Sequence, residues 1–403
     1  MSAGWLAIVV FAAITAQAVL LAGWALARRW LQRRGANAQG SDSGPAWQGW
    51  RRFRVARTNA EDAAGTIRSF YLQPVDGQPL PPFRAGQYLT IQLGDKSSDM
   101  RGAPIAQPIV RCYSLSDVPC PEHYRISVKR VATRSGQPAG KASRYLHERI
   151  REGDEVSLRA PSGHFVVDLQ DHRPPVLVGA GVGITPIWSM LKMLLSDAPK
   201  REVWFVYGAR SGREHPFRSE LAELRAAHPG LHAVVAYSRP DTEDRADVDY
   251  RAKGHVDIDL LKRLLPDQHL PFYVCGPGAL MESLMPALRA WGVPEALIHY
   301  EAFGPASLSA APEAIADTST HLVTFSKSQR TVSWTTTDRS LLDLAERNGI
   351  DMPSGCRAGS CGSCQTPVET GIVSYRQSPE YPVETGCCLP CVSRPASDLV
   401  LGA

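Results

Sequence analysis

Three cysteines lie close together near the carboxyl end of the chain, in the glycine-rich segment GCRAGSCGSCQT (residues 355–366). Cys356, Cys361 and Cys364 follow the spacing C-x₄-C-x₂-C. Thiolates at short spacings bind metal ions or iron–sulfur clusters in intracellular proteins, whereas crowded cysteines in secreted proteins form disulfides. The cellular compartment therefore decides which chemistry this segment can perform.

An apolar segment near the amino terminus indicates the cellular compartment. Residues 4–27 carry no charge, and a helix of that length crosses a hydrocarbon core of about 30 Å. The arginines that follow, at positions 28, 29, 33 and 34, mark the cytoplasmic side. A cleaved signal peptide is the alternative, but it needs a basic start, and the chain begins with MSA. The sequence predicts a single-pass anchor in the inner or plasma membrane, with all following domains cytoplasmic.

The charge balance narrows the possible partners. The 403-residue chain has a net charge of +4, and the four arginines after the apolar segment account for it. The first acidic residue is Asp42. The remainder is near neutral, which argues against a nucleic-acid partner. In a reducing cytoplasm the cysteines are thiols or metal ligands.

The spacing C-x₄-C-x₂-C is typical of plant-type [2Fe–2S] sites, which require one more distant cysteine. The segment GCCLPC offers Cys387, Cys388 and Cys391 for that position. A zinc ribbon built from two C-x₂-C pairs and a redox-active CLPC pair are the alternatives. Both leave Cys356 without a role, so the sequence favours the iron–sulfur cluster.

The elements that must position such a site form three further regions. Residues 50–170 contain short runs rich in β-branched and aromatic residues, which predict an antiparallel barrel with one helix, KASRYLHERI. In residues 171–305, apolar strands alternate with helical patterns, which predicts a doubly wound parallel sheet. Residues 320–403 contain strand-like runs and a helix, SLLDLAERNG, ending near Gly349. We assign residues 1–34 to the anchor and its basic flank, and 35–49 and 306–319 to linkers.

Two segments could bind a nucleotide. GAGVGITP (residues 179–186) follows a predicted strand and opens a predicted helix, where a phosphate can approach the backbone. YVCGPGALM (residues 273–281) ends another predicted parallel strand, at the edge where ligands bind such sheets. Alone, the first segment also fits a tight turn that binds nothing, and Cys275 of the second also fits a small buried residue.

The ordered set GQYL, RCYSLS, GKASRYLH, GVGITP, YGAR, YVCGPGALM and HYEAFGP resembles the ferredoxin–NADP⁺ reductase superfamily over roughly residues 50–305, and most of all the reductase half of flavohaemoglobins. The resemblance implies a flavin-binding barrel and a pyridine-nucleotide domain. The globin half is absent from the ordered set, so its haem chemistry is not implied. The flavin residues it implies are Tyr88, Arg111, Cys112, Tyr113, Ser114, Gly140, Ser143, Glu301 and Phe303. The nucleotide residues it implies are Gly181, Val182, Gly183, Ile184, Thr185, Pro186, Arg210, Cys275, Gly276 and Pro277.

Within this set, Ser114, Cys275 and Glu301 are the expected catalytic residues, because the resemblance places them around the flavin ring and the nicotinamide. The carboxyl-terminal region resembles the β-grasp ferredoxin domain of phthalate dioxygenase reductase and its relatives, in which CVSR carries the last ligand. That resemblance selects Cys391 to join Cys356, Cys361 and Cys364 as a ligand of the cluster. Cys112, Cys120, Cys387 and Cys388 are then expected to be ordinary thiols.

The expected activity is electron transfer from NADH or NADPH through FAD, or FMN, to the [2Fe–2S] cluster and then to a partner. The flavin is needed because the nicotinamide gives two electrons at once and the cluster accepts one. The resemblance favours an oxygenase as the partner, and the predicted anchor favours a membrane-bound one such as a hydroxylase or desaturase. A membrane NADH:quinone oxidoreductase and a non-catalytic tethered interaction module are the alternatives. The loop with Arg210, Arg213 and Glu214 leaves the choice of coenzyme open, and the insert at residues 94–108 has no assigned role.

Overall fold

The computed structural model describes residues 46–94, 109–131, 140–303 and 320–403, apart from positions 336–337, 356, 358, 360–361, 376–378, 380 and 382. The predicted anchor and its basic flank, most of the 94–108 insert and the 306–319 linker lie outside these residues, as do Cys356 and Cys361. Residues 45–403 form one compact unit. Within the described ranges, no helix has the length and apolar character needed to cross a bilayer.

The first sheet is a six-stranded antiparallel barrel. Its strands are β1 (Arg51–Ala60), β2 (Ile67–Pro74), β3 (Tyr88–Leu93), β4 (Ile109–Ser114), β5 (Tyr124–Lys129) and β6 (Glu155–Leu158). They are ordered β4-β3-β6-β1-β2-β5, and each neighbouring pair is antiparallel. A bridge between Leu115 and Ile126 joins the two edges, so the sheet closes on itself.

Alternation along β1 shows why this region forms a barrel. Phe53 and Val55 are buried, whereas Arg52 and Arg54 face solvent, as the two-residue period of a strand requires. Helix α1 (Lys141–Glu148) packs on the barrel through Leu146, which belongs to the same core. The predicted barrel with one helix is therefore confirmed.

The second sheet is parallel and lies between two layers of helices. Its strands are β7 (Val176–Ala180), β8 (Val203–Ala209), β9 (Leu231–Tyr237), β10 (Ala252–Lys253), β11 (Phe272–Gly276) and β12 (Ile298–Ala302), and its helices are α2 (Ile184–Asp197), α3 (Arg218–Ala227), α4 (Ile258–Leu264) and α5 (Gly278–Trp291). The strand order is β10-β9-β8-β7-β11-β12. Helices α2 and α3 cover one face, and α4 and α5 cover the other. Strands β8 to β10 are added on one side of β7, and β11 and β12 are added on its other side. The boundary between β7 and β11 is the switch point of the sheet, where folds of this kind bind ligands.

The carboxyl-terminal region is a mixed sheet with one helix on it. Its strands are β13 (Leu322–Phe325), β14 (Arg330–Ser333), β15 (Thr366–Thr370), β16 (Val373–Tyr375), β17 (Cys387–Cys388), β18 (Ser393–Pro395) and β19 (Leu399–Leu401), and its helix is α6 (Leu341–Arg347). The main sheet has the order β14-β13-β19-β15-β17, with β13 and β19 parallel at its centre. The Ser340 hydroxyl caps α6 by accepting from the Asp343 N–H, and Gly349 follows the helix with a positive φ. This ferredoxin-type domain confirms the prediction for the region.

Candidate active site

The predicted flavin residues of the barrel lie on two paired strands. Tyr88 of β3 stands opposite Ser114 of β4, and Leu89 stands opposite Tyr113. Ser114 is 4% exposed, and its hydroxyl oxygen has no hydrogen-bond partner among the described residues. Buried hydroxyls are almost always hydrogen-bonded, so this one is available to a group bound against the strand.

The neighbouring side chains of β4 provide a ring and a charge. Burial raises the pKa of Tyr113, so its phenol stays neutral and able to donate a hydrogen bond. Burial, and then the nearby Arg357, lower the pKa of Arg111, whose side chain is only partly buried. The thiol of Cys112 lies 3.4 Å from the Thr90 hydroxyl. Strand β4 thus offers an aromatic ring and a positive charge to an aromatic, anionic ligand bound beside it.

The predicted phosphate contact falls at the start of α1. Gly140 is the residue before the helix. The Ser143 hydroxyl donates to the Gly140 carbonyl at 3.1 Å and accepts from the Val131 N–H at 3.2 Å. Since this hydroxyl is engaged by backbone, an anion here would be held mainly by N–H groups of the first helical turn.

The glycine turn links β7 to α2 as the sequence predicts. Residues Gly181–Gly183 form a 3₁₀ turn, and α2 starts at Ile184. A Cβ on Gly183 would lie 2.2 Å from the Cys275 carbonyl oxygen, so only glycine lets the two segments approach. The Thr185 hydroxyl donates to the Val182 carbonyl at 3.1 Å, and Pro186 is buried in the first turn of α2. The turn leaves backbone at the switch point for a phosphate or ribose.

Cys275 lies at the carboxyl end of β11, between two other strands. It pairs in register with Gly179 of β7 on one side and with Glu301 of β12 on the other. Burial, followed by the Glu301 charge, raises the pKa of the fully buried thiol. The thiol is therefore neutral and fills space rather than acting as a nucleophile. Gly276 and Pro277 follow and lead into α5.

The remaining predicted residues lie near the carboxyl ends of β8 and β12, at the same end of the sheet as Cys275. Phe303 follows β12 and packs against the core that contains α2. Arg210 follows β8, is exposed, and lies 3.6 Å from Glu214. Glu301 and Phe303 therefore stand near Cys275 and α2, whereas Arg210 stands on the side of β8, where a coenzyme ribose would extend in this fold.

The described part of the cysteine region brings two predicted ligands together. The sulfurs of Cys364 and Cys391 are 3.2 Å apart, and both residues are buried. Two sulfurs that bind one tetrahedral metal ion at about 2.3 Å stand about 3.7 Å apart, so this pair can share an iron. Cys388 is hydrogen-bonded with Ser393 and burial raises its pKa to about 12, while Cys387 is half-buried beside it.

The loop between the predicted ligands is shaped by packing. Gly362 has a positive φ, and a Cβ there would lie 2.4 Å from the Tyr381 ring. Arg357 also has a positive φ of 59°, and its guanidinium donates to the Glu346 carboxylate of α6 at 2.9 Å. These contacts hold the loop against α6, and they bring Arg357 and Glu346 close enough to Arg111 to affect its pKa.

An ionic cluster that sequence reasoning missed joins the barrel to the parallel sheet. Arg125 of β5 is 2% exposed and lies 3.3 Å from Asp117 and 3.5 Å from Glu220 of α3. Lys192 of α2 contacts the same two carboxylates. The Ser189 hydroxyl of α2 donates to the Asp117 carbonyl at 2.7 Å. No sequence motif marks these residues, because only the packing of α2 and α3 on the barrel brings them together.

A second contact that the sequence did not indicate is a hydrogen bond from the neighbouring strand β8 to the glycine turn. The Tyr207 hydroxyl of β8 donates to the Gly181 carbonyl at 3.1 Å, and burial raises the pKa of this tyrosine. The phenol is therefore a permanent donor that orients the turn.

Comparison with protein families identifies two domains in the chain. Residues 177–285 match the oxidoreductase NAD-binding domain. Residues 323–396 match the 2Fe-2S iron-sulfur cluster binding domain. The first match contains the glycine turn and Cys275, and the second contains the cysteine loop and Cys391.

Similar proteins extend these matches to the barrel. The flavohemoprotein of Halalkalibacterium halodurans is 39% identical over 264 residues, and the chain covers 61% of that protein's length. The FAD/NAD-binding domain of nitric oxide dioxygenase from Vibrio cholerae is 36% identical, with a TM-score of 0.54 over 63% of this chain and 99% of that domain. Phthalate dioxygenase reductase is 27% identical, with a TM-score of 0.54 over 88% of this chain and 98% of its own.

Proposed function

Since the chain belongs to the ferredoxin–NADP⁺ reductase superfamily and joins such a reductase to a carboxyl-terminal 2Fe-2S domain, we propose that it is an NAD(P)H-dependent electron-transfer reductase. When bound, the nicotinamide supplies two electrons as a hydride, the flavin accepts both and releases them singly, and the cluster passes them one at a time to an acceptor. The flavin is FAD in this proposal, since the barrel is similar to an FAD-binding domain at 36% identity.

The barrel residues would hold and orient the flavin. The hydroxyl of Ser114, which has no hydrogen-bond partner in the described part of the chain, would donate a hydrogen bond to the ring, while the neutral phenol of Tyr113 lies along the same strand. Arg111 and the first turn of α1 would bind the phosphates. Tyr88, opposite Ser114 in the register, would complete the ring site.

The parallel sheet would hold the coenzyme. The Gly181–Gly183 turn, supported by Tyr207, would bind its phosphates. Cys275, a neutral buried thiol, would bound the nicotinamide, and Glu301 and Phe303 would flank the flavin ring. Burial of both rings in this cleft would exclude water from the hydride path.

The observation that carries the proposal is the approach of the Cys364 and Cys391 sulfurs to 3.2 Å, in the same compact unit as the two-domain reductase. The full chain, purified anaerobically, should show flavin and iron–sulfur absorption bands, and both should bleach within seconds of adding NADH or NADPH. Flavin bleaching without a cluster band would show that the protein is a flavin reductase that carries no iron–sulfur cluster. A folded, colourless protein would instead favour a non-catalytic interaction module.

We propose an oxygenase or hydroxylase as the electron acceptor, because phthalate dioxygenase reductase matches 88% of this chain at 27% identity. A pull-down from the native membrane, followed by assay of NADH-driven oxygen consumption, would identify such a partner. Fast NADH-dependent reduction of a quinone analogue without any added protein would favour a quinone oxidoreductase instead.

We also propose that the chain is anchored in the inner or plasma membrane by residues 4–27, with the reductase domains in the cytoplasm. The uncharged length of that segment and the arginines after it support this proposal. In cell fractionation, the full chain should sediment with membranes, and a chain starting at Trp47 should not. Recovery of both in the same fraction would overturn the anchor.

A further inference from the structure

The turn between β4 and β5 places a thiol, an imidazole and a carboxylate together. Cys120, Glu122 and His123 each offer one ligand atom, and these atoms all lie within 4.8 Å of one another. The turn lies outside the cluster loop and outside the strand that carries Ser114. The sequence predicted an ordinary thiol at Cys120, because nothing in the pattern CPEH shows that the histidine turns back onto the sulfur.

The spacing of the two strongest ligands suits a tetrahedral metal ion. The Cys120 sulfur lies 3.5 Å from Nδ1 of His123. A zinc ion bound at about 2.3 Å from sulfur and about 2.0–2.1 Å from nitrogen holds the two atoms roughly 3.6 Å apart at the tetrahedral angle. The thiol and the imidazole therefore already stand at the separation that zinc requires.

The turn is held in this shape by its surroundings. The Leu80 N–H donates to the Pro121 carbonyl at 2.9 Å, which fixes the backbone between the two ligands. The His123 ring lies against the Tyr71 ring, with centroids 5.3 Å apart, and the Arg57 guanidinium lies 3.9 Å from the centroid of the same tyrosine. Little ordering is left for an ion to impose, which favours binding.

We propose that Cys120, Glu122 and His123 form a zinc-binding site, with water as the remaining ligand. The combination of sulfur, nitrogen and oxygen ligands suits zinc rather than magnesium or calcium, which prefer oxygen alone. Cys120 and His123 are half-buried and Glu122 is exposed, so the ion can enter from solvent.

The test uses the full chain with its iron–sulfur cluster intact, equilibrated with buffered zinc at micromolar free concentration. We expect the wild type to bind one more zinc per chain than Cys120→Ser or His123→Ala, with iron content unchanged in all of them. Constant iron shows that zinc has not entered the cysteine cluster. The matched control is His269→Ala, since His269 is a surface histidine paired with Asp267 at 2.8 Å and with no thiol in that pair; it should keep the wild-type zinc.

A second measurement on the wild type does not depend on the folding of any variant. Zinc should slow the alkylation of Cys120 by iodoacetamide at least tenfold, as mapped by mass spectrometry, and a chelator should restore the rate. Equal alkylation with and without zinc, or the same zinc content in the wild type and Cys120→Ser, would overturn the site.

Discussion

The hydroxyls of Ser114 and Ser116 are both buried, two positions apart, but they have different surroundings. Ser116 lies 2.7 Å from the Ser127 hydroxyl and donates to the Arg125 carbonyl at 3.2 Å. Ser114 has no such partner among the described residues. The Ser116 hydroxyl therefore contributes to the barrel core, whereas the Ser114 hydroxyl is available to a group that the barrel binds.

Replacing each serine with alanine should separate these roles. Ser114→Ala should leave the free energy of unfolding nearly unchanged but slow flavin reduction by NADH about tenfold, as expected when one hydrogen bond of ~1–1.5 kcal/mol is lost. Ser116→Ala should lower the free energy of unfolding by about 1–3 kcal/mol, because buried partners lose a bond. Stopped-flow absorbance and urea unfolding measure the two effects. Equal loss of stability in both variants would contradict the assignment.

The cysteines allow a second residue-level prediction. Cys391→Ser should abolish the iron–sulfur absorption and the bound iron, because a thiolate ligand is lost. The flavin should remain and should still be reduced by NADH. Cys387→Ser is the matched control and should keep the cluster. Iron loss in Cys387→Ser, with iron retained in Cys391→Ser, would show that the fourth ligand is misassigned.

Residue patterns predicted the site only where a motif carries the chemistry. The spacing of the cysteines indicates a cluster but leaves three choices for the last ligand, and the resemblance selects Cys391. The structure places its sulfur beside that of Cys364. Neither Tyr207 beneath the glycine turn nor His123 beside Cys120 has a sequence signal, because each acts through a partner that is distant in the chain or reached by a turn.

At the scale of elements, the contact between the barrel and the parallel sheet depends on buried charge. Asp117 is the carboxylate that meets both Arg125 and Lys192. Burial raises the pKa of Asp117, but these two cations outweigh it, so the pKa is lowered. The carboxylate is therefore ionised in the folded protein at any pH above its lowered pKa.

Asp117→Asn should lower the free energy of unfolding by about 3 kcal/mol at pH 7, because Arg125 stays buried with one neutralising charge fewer. The lowered pKa means that the carboxylate contributes its full stability above an unfolded pKa of about 3.9 and loses it as the pH falls towards the folded value. The difference between wild type and variant should thus be constant from neutral pH to about pH 5 and narrow below pH 4. Urea unfolding followed by tryptophan fluorescence measures it.

Glu148→Gln is the control for this prediction, since Glu148 forms an exposed pair with Arg144 on α1. Exposed pairs contribute little to stability, so no measurable change is expected. A difference at Asp117 that grows on acidification would show that the carboxylate is not held ionised by its partners.

The order of elements is predictable where apolar runs end at glycine, proline or aspartate, as in β7 and β11. It is less predictable at β12 (Ile298–Ala302), which among the described strands pairs with β11 alone, and at α4 (Ile258–Leu264), which is too short to show a helical period. The position of these elements is set by the sheet they join, and that information is not local.

At the scale of the whole molecule, the barrel, the parallel sheet and the ferredoxin-type domain belong to one compact unit. Arg111 of the barrel lies close enough to Arg357 and Glu346 of the cluster loop region for their charges to affect its pKa. Strand β4, which would contact the flavin, and the loop that carries Arg357 are therefore neighbours within a single chain.

Electron transfer from flavin to cluster should consequently be intramolecular. After anaerobic mixing with NADH, the rate constant for cluster bleaching should not change over a tenfold range of protein concentration. It should also depend little on ionic strength, because no charged encounter between separate molecules is involved. Stopped-flow absorbance provides the measurement, and a rate that rises in proportion to protein concentration would show transfer between chains.

Helix α2 has a consequence for how this reductase can evolve. Its first residue follows the turn that would hold the coenzyme, and its middle, through Ser189 and Lys192, grips Asp117 three positions beyond Ser114. A mutation that moved α2 to suit another coenzyme would therefore also move Asp117 and the end of strand β4, where the flavin would bind. Coenzyme preference should therefore change more readily at the exposed side chain of Arg210, whose ion pair is with Glu214 of its own loop.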